Sequence, residues 1–252
     1  MKNNILKELE LEPTPSQAET AETVASFLAS HSGRCSLVMR GYAGTGKTTL
    51  VRAIIRVLKE LNQKAVLLAP TGRAAKVLGN SVGNHAYTIH KKIYRQQSSR
   101  DGFSAFELNK NFHKDTLFVV DEASMISNGE GGGIFGSGRL LDDLLEYVFS
   151  GRNCRVLLLG DDAQLPPVGL SHGPALDPDY ISGYGVEVFA ASLTDVVRQK
   201  IGSGILVNAT HLRSLLDSEI DEVSYPQFRT YGFTDVIRLS GTDLPEELDS
   251  CY

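Results

Sequence analysis

The sequence contains no tryptophan and only three cysteines, and none of its apolar runs approaches the length of a membrane span. Each shortage excludes something. Without tryptophan, a platform on which bases stack must use Tyr, Phe or His. Tyr87, His90 and Tyr94 are the nearest candidates, although core or hairpin packing is the simpler use of both tyrosines. Cys35, Cys154 and Cys251 stand singly with no CxxC spacing, which argues against a disulfide framework and against a zinc site. The longest apolar stretches, such as 65–69 and 117–120, fall far short of the ~18 residues a span needs. The opening MKNNILKELELE carries no apolar signal segment. These absences predict a soluble cytoplasmic protein with no membrane partner.

Acidic residues are missing from one long stretch. Between Lys64 and Arg100 there are seven basic residues and no acid, whereas 217–249 holds nine acids against Arg229 and Arg238. The net charge of −5 argues against indiscriminate binding of nucleic acid, but the local imbalance marks one face that attracts an anion. The 252 residues suffice for one large or two small domains at roughly 150 residues per domain. With 42% apolar and 22% charged residues, the chain is expected to fold and bury a core.

Residues 1–13 are polar and read as a flexible N-terminus. Thr14-Pro15-Ser16-Gln17 then reads as a helix start, with Thr14 as N-cap and Pro15 at the first helical position, and the helix runs to about Ser30. Short apolar runs follow at 36–39, 65–69, 116–120, 155–159 and, more weakly, 186–190, alternating with amphipathic stretches near 51–61, 72–78 and 140–149. Strands buried on both faces that alternate with helices indicate an α/β fold, mainly a parallel sheet flanked by helices. The polar segment 94–115 interrupts the rhythm and reads as a small insertion such as a hairpin. Residues 128–138, NGEGGGIFGSG, read as a mobile glycine-rich loop. Beyond residue 218 only a weak strand pattern near 236–239 remains, so 219–252 reads as a connection towards a further domain.

Three strand ends carry polar chemistry. Gly41-Tyr42-Ala43-Gly44-Thr45-Gly46-Lys47-Thr48 fits G-x-x-x-x-G-K-[ST] between an apolar run and an amphipathic helix. Its glycines let backbone N–H groups converge on a β-phosphate, Lys47 supplies a charge between the β- and γ-phosphates, and Thr48 offers a hydroxyl to Mg²⁺. The run 117–120 ends in Asp121 and Glu122, placing an Mg²⁺ carboxylate and a residue that orients or deprotonates water at the same sheet edge. Dipole stabilisation of a helix start is the alternative use of that acidic pair. The run 155–159 ends in GDDAQLPP, where Gln164 is placed to meet a γ-phosphate or the lytic water; a proline-stiffened turn with solvated aspartates is the alternative.

Gln17, GYAGTGKTT at 41–49, APTGRAA at 69–75, Tyr87-Thr88-Ile89-His90, VVDEASM at 119–125, GDDAQLPPVG at 160–169 and LTDVVRQ at 193–199 together resemble the ordered motifs of superfamily 1B DNA helicases, closest to the RecD-like and Dda-like branch. The resemblance covers roughly residues 14–215. It implies a P-loop RecA-like ATPase domain over 14–218, with ATP and Mg²⁺ as cofactors. Gln17, Gly41, Ala43, Gly44, Thr45, Gly46, Lys47, Thr48 and Thr49 would bind nucleotide, and Thr48 and Asp121 would hold the metal. Lys47, Glu122, Gln164 and Arg198 would be catalytic, with Arg198 reaching the γ-phosphate. Pro70, Thr71, Gly72, Arg73, Thr88 and His90 would contact single-stranded DNA, within the acid-free stretch.

Thr14-x-x-Gln17 is also a capping box, so a structural role for Gln17 stands beside adenine recognition. Arg73 and His90 equally suit a solvated helix face and a loop. Family members continue into a second RecA-like domain that supplies a further arginine, and this chain is expected to be the piece before it. Partners implied are single-stranded DNA, that second domain, and replication or repair proteins. A phosphotransferase acting on a small molecule and a nucleotide-dependent switch are the competing readings of the same P-loop.

Overall fold

A computed structural model describes residues 1–9, 12–97, 105–128, 135–164, 167, 169–170, 173–195, 203–216 and 227–250. The chain divides into two units, Met1–Val197 and Arg198–Tyr252. In the first, the strands are β1 (Cys35–Gly41), β2 (Lys64–Ala69), β3 (Ala86–Thr88), β4 (Tyr94–Gln97), β5 (Ala105–Leu108), β6 (Thr116–Val120), β7 (Arg155–Gly160) and β8 (Glu187–Leu193). The helices are α1 (Lys2–Lys7), α2 (Pro15–Ala29), α3 (Lys47–Glu60), α4 (Gly72–Val82), α5 (Ile89–Ile93), α6 (Leu140–Ser150) and α7 (Pro178–Ser182). The second unit carries α8 (Gly204–Leu216) and α9 (Leu244–Ser250).

Six strands form a wholly parallel sheet in the order β3-β2-β6-β7-β1-β8. The period of two in a strand sends alternate side chains to opposite faces, and both faces are covered. Leu37, Met39, Leu157 and Leu159 pack with α2 and α3, while Val38, Val156 and Leu158 pack with α5, α6 and Ile181 of α7. Near-continuous apolar strands are what such two-sided burial requires. The parallel α/β reading therefore holds. The weak strand forms over Glu187–Leu193, three residues further than the sequence pattern reached.

Residues 94–115 leave the sheet as expected of a small hairpin: β4 pairs antiparallel with β5, Tyr94 opposite Leu108, and Arg95 meets Glu107 at 2.6 Å. The root of this hairpin is fixed from below. The Tyr94 hydroxyl donates to Asp143 Oδ2 at 2.6 Å, and Ser137 donates to the same carboxylate through its amide (3.0 Å) and its hydroxyl (2.8 Å). Phe135 stacks on Phe106 with ring centroids 4.4 Å apart. Gly136 has φ +51, and a side chain there would collide with both Asp143 and Tyr94.

The start of the glycine-rich segment is also held. Asn128 Oδ1 accepts the Leu141 and Asp142 amides that open α6, at 2.9 and 3.3 Å. Residues 129–134 lie outside the described residues, and the described ends, 128 and 135–138, are anchored rather than loose.

Two expectations are corrected. The N-terminus is not loose over its described residues: α1 forms, Ile5 is fully buried against the α2–α3 core, and Lys2 pairs with Glu22 at 2.7 Å. With Ile5, Leu6 and Leu9 spread over little more than one turn, its apolar period was too short to stand out among polar neighbours. The pattern at 236–239 forms no strand; Ile237 is exposed and the backbone there is irregular. Residues 236–239 belong to neither sheet, and a strand without a partner has no ladder to join.

Candidate functional site

β1 delivers the chain to the phosphate loop at the carboxyl edge of the sheet. Gly44 and Gly46 have φ of +84 and +89, conformations open to glycine at little cost, and Gly46 caps α3. The loop is tight. A Cβ on Gly41 would stand 2.9 Å from Leu193 Cβ, and one on Gly46 would stand 2.5 Å from Gln17 Nε2. Thr45 is buried and its hydroxyl donates to the Tyr42 carbonyl at 2.8 Å. Lys47 Nζ donates to the Gly41 and Tyr42 carbonyls, the latter at 3.0 Å. Thr48 and Thr49 lie in the first turn of α3, half-buried; Ala43 is exposed at the loop tip.

Gln17 is buried and makes a complete capping box: its amide donates to Thr14 Oγ1, and its Oε1 accepts the Thr14 amide at 3.1 Å. Its Nε2 also donates to the Thr45 carbonyl at 3.2 Å. Structural support and contact with the phosphate loop thus coexist in one residue. The start of α2 is further held by Asp195, whose Oδ2 accepts the Ser16 amide at 3.0 Å, a bond that lowers the Asp195 carboxyl from its usual range.

Strand order places the end of β7 between the ends of β1 and β6. Asp121 and Glu122 follow β6; Asp161 and Asp162 follow β7. Burial pushes the Lys47 ammonium below the usual lysine range, opposed by Asp161, then Asp121, Glu122 and Asp162. Burial likewise raises the Asp121 carboxyl; the Glu122 amide that it accepts at 2.9 Å opposes this, the Glu122 carboxylate adds to it and Lys47 opposes it. Glu122 itself has φ +54 and ψ +39, a left-handed conformation that costs a non-glycine residue about 1–3 kcal/mol and clusters at functional sites.

Asp161 is the residue that sequence reasoning undervalued. Far from a solvated turn, it is 4% exposed, accepts the Ala163 amide at 3.0 Å and is the strongest acidic influence on Lys47. Its signal was its place one residue beyond a central apolar strand. Gln164 is exposed, its amide closing a turn onto the Asp161 carbonyl at 3.3 Å. Arg198 lies outside the described residues.

At the other half of the edge, β2 ends before Pro70 and β3 ends at Thr88. Thr71 Oγ1 accepts the Ala74 amide at 3.2 Å and caps α4; Thr88 Oγ1 accepts the Lys91 amide at 3.3 Å and caps α5. Two helix N-termini therefore open side by side, a favourable setting for phosphate. Thr71, Gly72 and Arg73 are exposed there. His90 is half-buried against Tyr94 and Phe135, and burial lowers its pKa. Tyr94 is buried, as packing predicts, and Cys35 and Cys154 are buried free thiols. No helix among the described residues is long and apolar enough to cross a membrane.

A glycine loop leading into a helix beside strand-end carboxylates defines a P-loop nucleotide-binding domain. A family model described as an AAA domain matches residues 13–214. The ATP-dependent RecD2 DNA helicase of Deinococcus radiodurans is 35% identical over 157 residues, covering 62% of this chain and 19% of that protein. The ATP-dependent DNA helicase RRM3 of Saccharomyces cerevisiae is 30% identical over 153 residues, with coverages of 54% and 19%. The ATP-dependent DNA helicase dda of Enterobacteria phage T4 is 28% identical over 183 residues, with coverages of 71% and 38%. The chain belongs to this AAA-domain family, and these relatives bear out its resemblance to superfamily 1B helicases. The match spans only about a fifth to two fifths of the relatives' length.

Proposed function

We propose that this chain is the first motor domain of an ATP-dependent DNA helicase, binding Mg-ATP and, with a second RecA-like domain, coupling hydrolysis to movement on single-stranded DNA. The observation that carries the reading is the gathering of Lys47, Asp121, Glu122 and Asp161 at one half of a parallel-sheet edge whose other half belongs to the acid-free stretch.

The residues fit the cofactor. Gly44 and Gly46 hold the loop in left-handed conformations that L side chains rarely adopt, and a Cβ on Gly46 would collide with Gln17 Nε2; Thr48 and Asp121 are oxygen donors suited to Mg²⁺, which keeps much of its coordination for phosphate and water. Thr48 and Asp121 would hold Mg²⁺, which would supply charge neutralisation to the bound phosphates. Lys47 would exchange its two carbonyl partners for phosphate oxygens, Gln17 would brace the loop and meet the adenine, and Glu122 would orient and deprotonate the attacking water. Gln164 would contact the γ-phosphate, Arg198 would reach it, and Pro70, Thr71, Gly72, Arg73, Thr88 and His90 would face the DNA strand. Positioning and charge neutralisation are the main sources of catalysis in phosphoryl transfer.

The test is nucleotide binding and phosphate release with and without single-stranded DNA. Tight nucleotide binding with weak turnover is expected, because an arginine donated by a second domain contributes about 10³ to 10⁵ in related sites. Glu122→Gln should retain binding and remove residual turnover, and Lys47→Ala should remove both. A phosphorylated small-molecule acceptor among the products would replace this reading with a phosphotransferase.

A further inference from the structure

A cavity of about 630 Å³ runs alongside α4 on the outer side of β3, the edge strand of the sheet. It opens at Gly72 and Thr88, beside the two helix N-termini, and continues away from them to Asn84. Its floor on α4 is bare, because Gly72 and Gly83 fall on the same face as Lys76 and Asn80. A Cβ added at either glycine meets nothing within 4 Å, so open space lies above both. Lys76 and Lys91 are exposed on its walls, and Asn80 and Asn84 offer amide donors and acceptors. Exposed His85 stands against Tyr87 with ring centroids 4.4 Å apart and planes at 77°, and Lys92 Nζ lies 5.3 Å from the Tyr87 ring, which holds that ring in place. No carboxylate lines the groove, which lies wholly within the acid-free stretch.

Two lysines, two amides, an aromatic pair and no acid make a binding set for single-stranded nucleic acid: cations for the backbone and rings for bases. We propose that this groove is a second segment of the single-strand path, carrying the sugar–phosphate backbone on Lys76 and Lys91 and stacking a base on the exposed ring of His85, which Tyr87 braces edge-on. The proposal rests on the functional reading above for its ligand class, and it extends the strand beyond the edge residues already named. In a chain without tryptophan, His85 supplies an exposed ring for stacking. It is also sequence-tolerant, because every base has a face to stack.

Fluorescence anisotropy of labelled oligothymidylates of about 4 and about 12 nucleotides, titrated with the full chain at several salt concentrations, tests it. The longer strand should bind more tightly. Lys76→Ala and Lys91→Ala should each lower the log–log salt slope for the longer strand by about 0.7. His85→Ala should weaken that strand about fivefold or more, and His85→Phe should restore it, since a ring is what stacking needs. All these side chains are exposed, so an unchanged urea midpoint shows the variants folded.

If the wild-type chain binds both strands while the variants match it in affinity and slope, the groove is not part of the path and the motor-domain reading stands. If the wild-type chain binds neither strand, in the presence or absence of a non-hydrolysable ATP analogue, the functional reading falls and takes the groove with it.

Discussion

Gln17 holds Thr45: the same buried side chain that closes the capping box of α2 donates to a phosphate-loop carbonyl at 3.2 Å. Removing it strips the α2 cap and one support of the loop together. Gln17→Ala is expected to cost about 0.5–2 kcal/mol in urea unfolding even without nucleotide. It should also weaken nucleotide binding, read by a fluorescent nucleotide analogue. A residue used solely to recognise adenine would leave the ligand-free stability untouched.

Asp121 makes the protein less stable for the sake of its site. Its folded pKa is raised by burial, so between the unfolded value and the folded value the native state binds more protons than the unfolded state, and stability falls as pH rises through that window. Above the folded pKa the penalty is fully present. Asp121→Asn keeps an acceptor for the Glu122 amide and removes the charge. The expected outcome at neutral pH is a higher thermal midpoint without nucleotide, with the gain vanishing at acidic pH, and loss of Mg²⁺-dependent tightening of ATP binding. Calorimetry across pH, paired with nucleotide titrations, checks both halves.

The hairpin root depends on one carboxylate. Asp143 is 4% exposed and receives three hydrogen bonds, from the Tyr94 hydroxyl and twice from Ser137. Tyr94→Phe removes a hydrogen bond to a charged group, and about 1.5–3 kcal/mol of stability is expected to go with it. Asp143→Ala should cost more, because it leaves the buried Tyr94 hydroxyl unpaired and releases Ser137 as well. Denaturant unfolding measures the cost, and faster proteolysis within residues 94–115 locates it.

Arg155 closes the far end of α2. Its Nη1 donates to the Phe27 carbonyl at 3.2 Å and to that of Leu28, and its Nη2 donates to Ser30 at 2.5 Å, satisfying the carbonyls that a helix C-terminus leaves open. Arg155→Lys keeps the charge but loses the planar fork. It is expected to cost about 1 kcal/mol or more in urea unfolding, and Arg155→Ala more than Arg155→Lys.

The parts of this molecule written in short-range pattern were legible in the sequence. The phosphate loop, the Thr14 cap and the acidic end of β6 each occupy a few neighbouring residues, and each formed where its pattern stood. What depended on partners distant in the chain was not legible. Ile5 is buried because α2 and α3 cover it, and nothing within 1–13 announces them. Asp161 is buried because β7 lies between β1 and β6, an order that no local pattern encodes. Asn128 and Ser137 read as parts of a loose loop, yet each fastens to the first turn of α6. The stretch at 236–239 failed for a related reason: a short run rich in Val, Ile and Leu makes a strand only beside a neighbour.

The Asp121 amide donates to the Leu68 carbonyl at 3.0 Å, extending the β2–β6 ladder by one rung past its last paired residues. That rung lies two residues before Pro70 on one side and directly before the left-handed Glu122 on the other. The two halves of the sheet edge therefore share a backbone seam. A change in the Glu122 backbone would pull on the connection of 70–71 through a single hydrogen bond, across one strand spacing of about 4.8 Å. A single backbone hydrogen bond is thus what joins the acidic end of β6 to the end of β2.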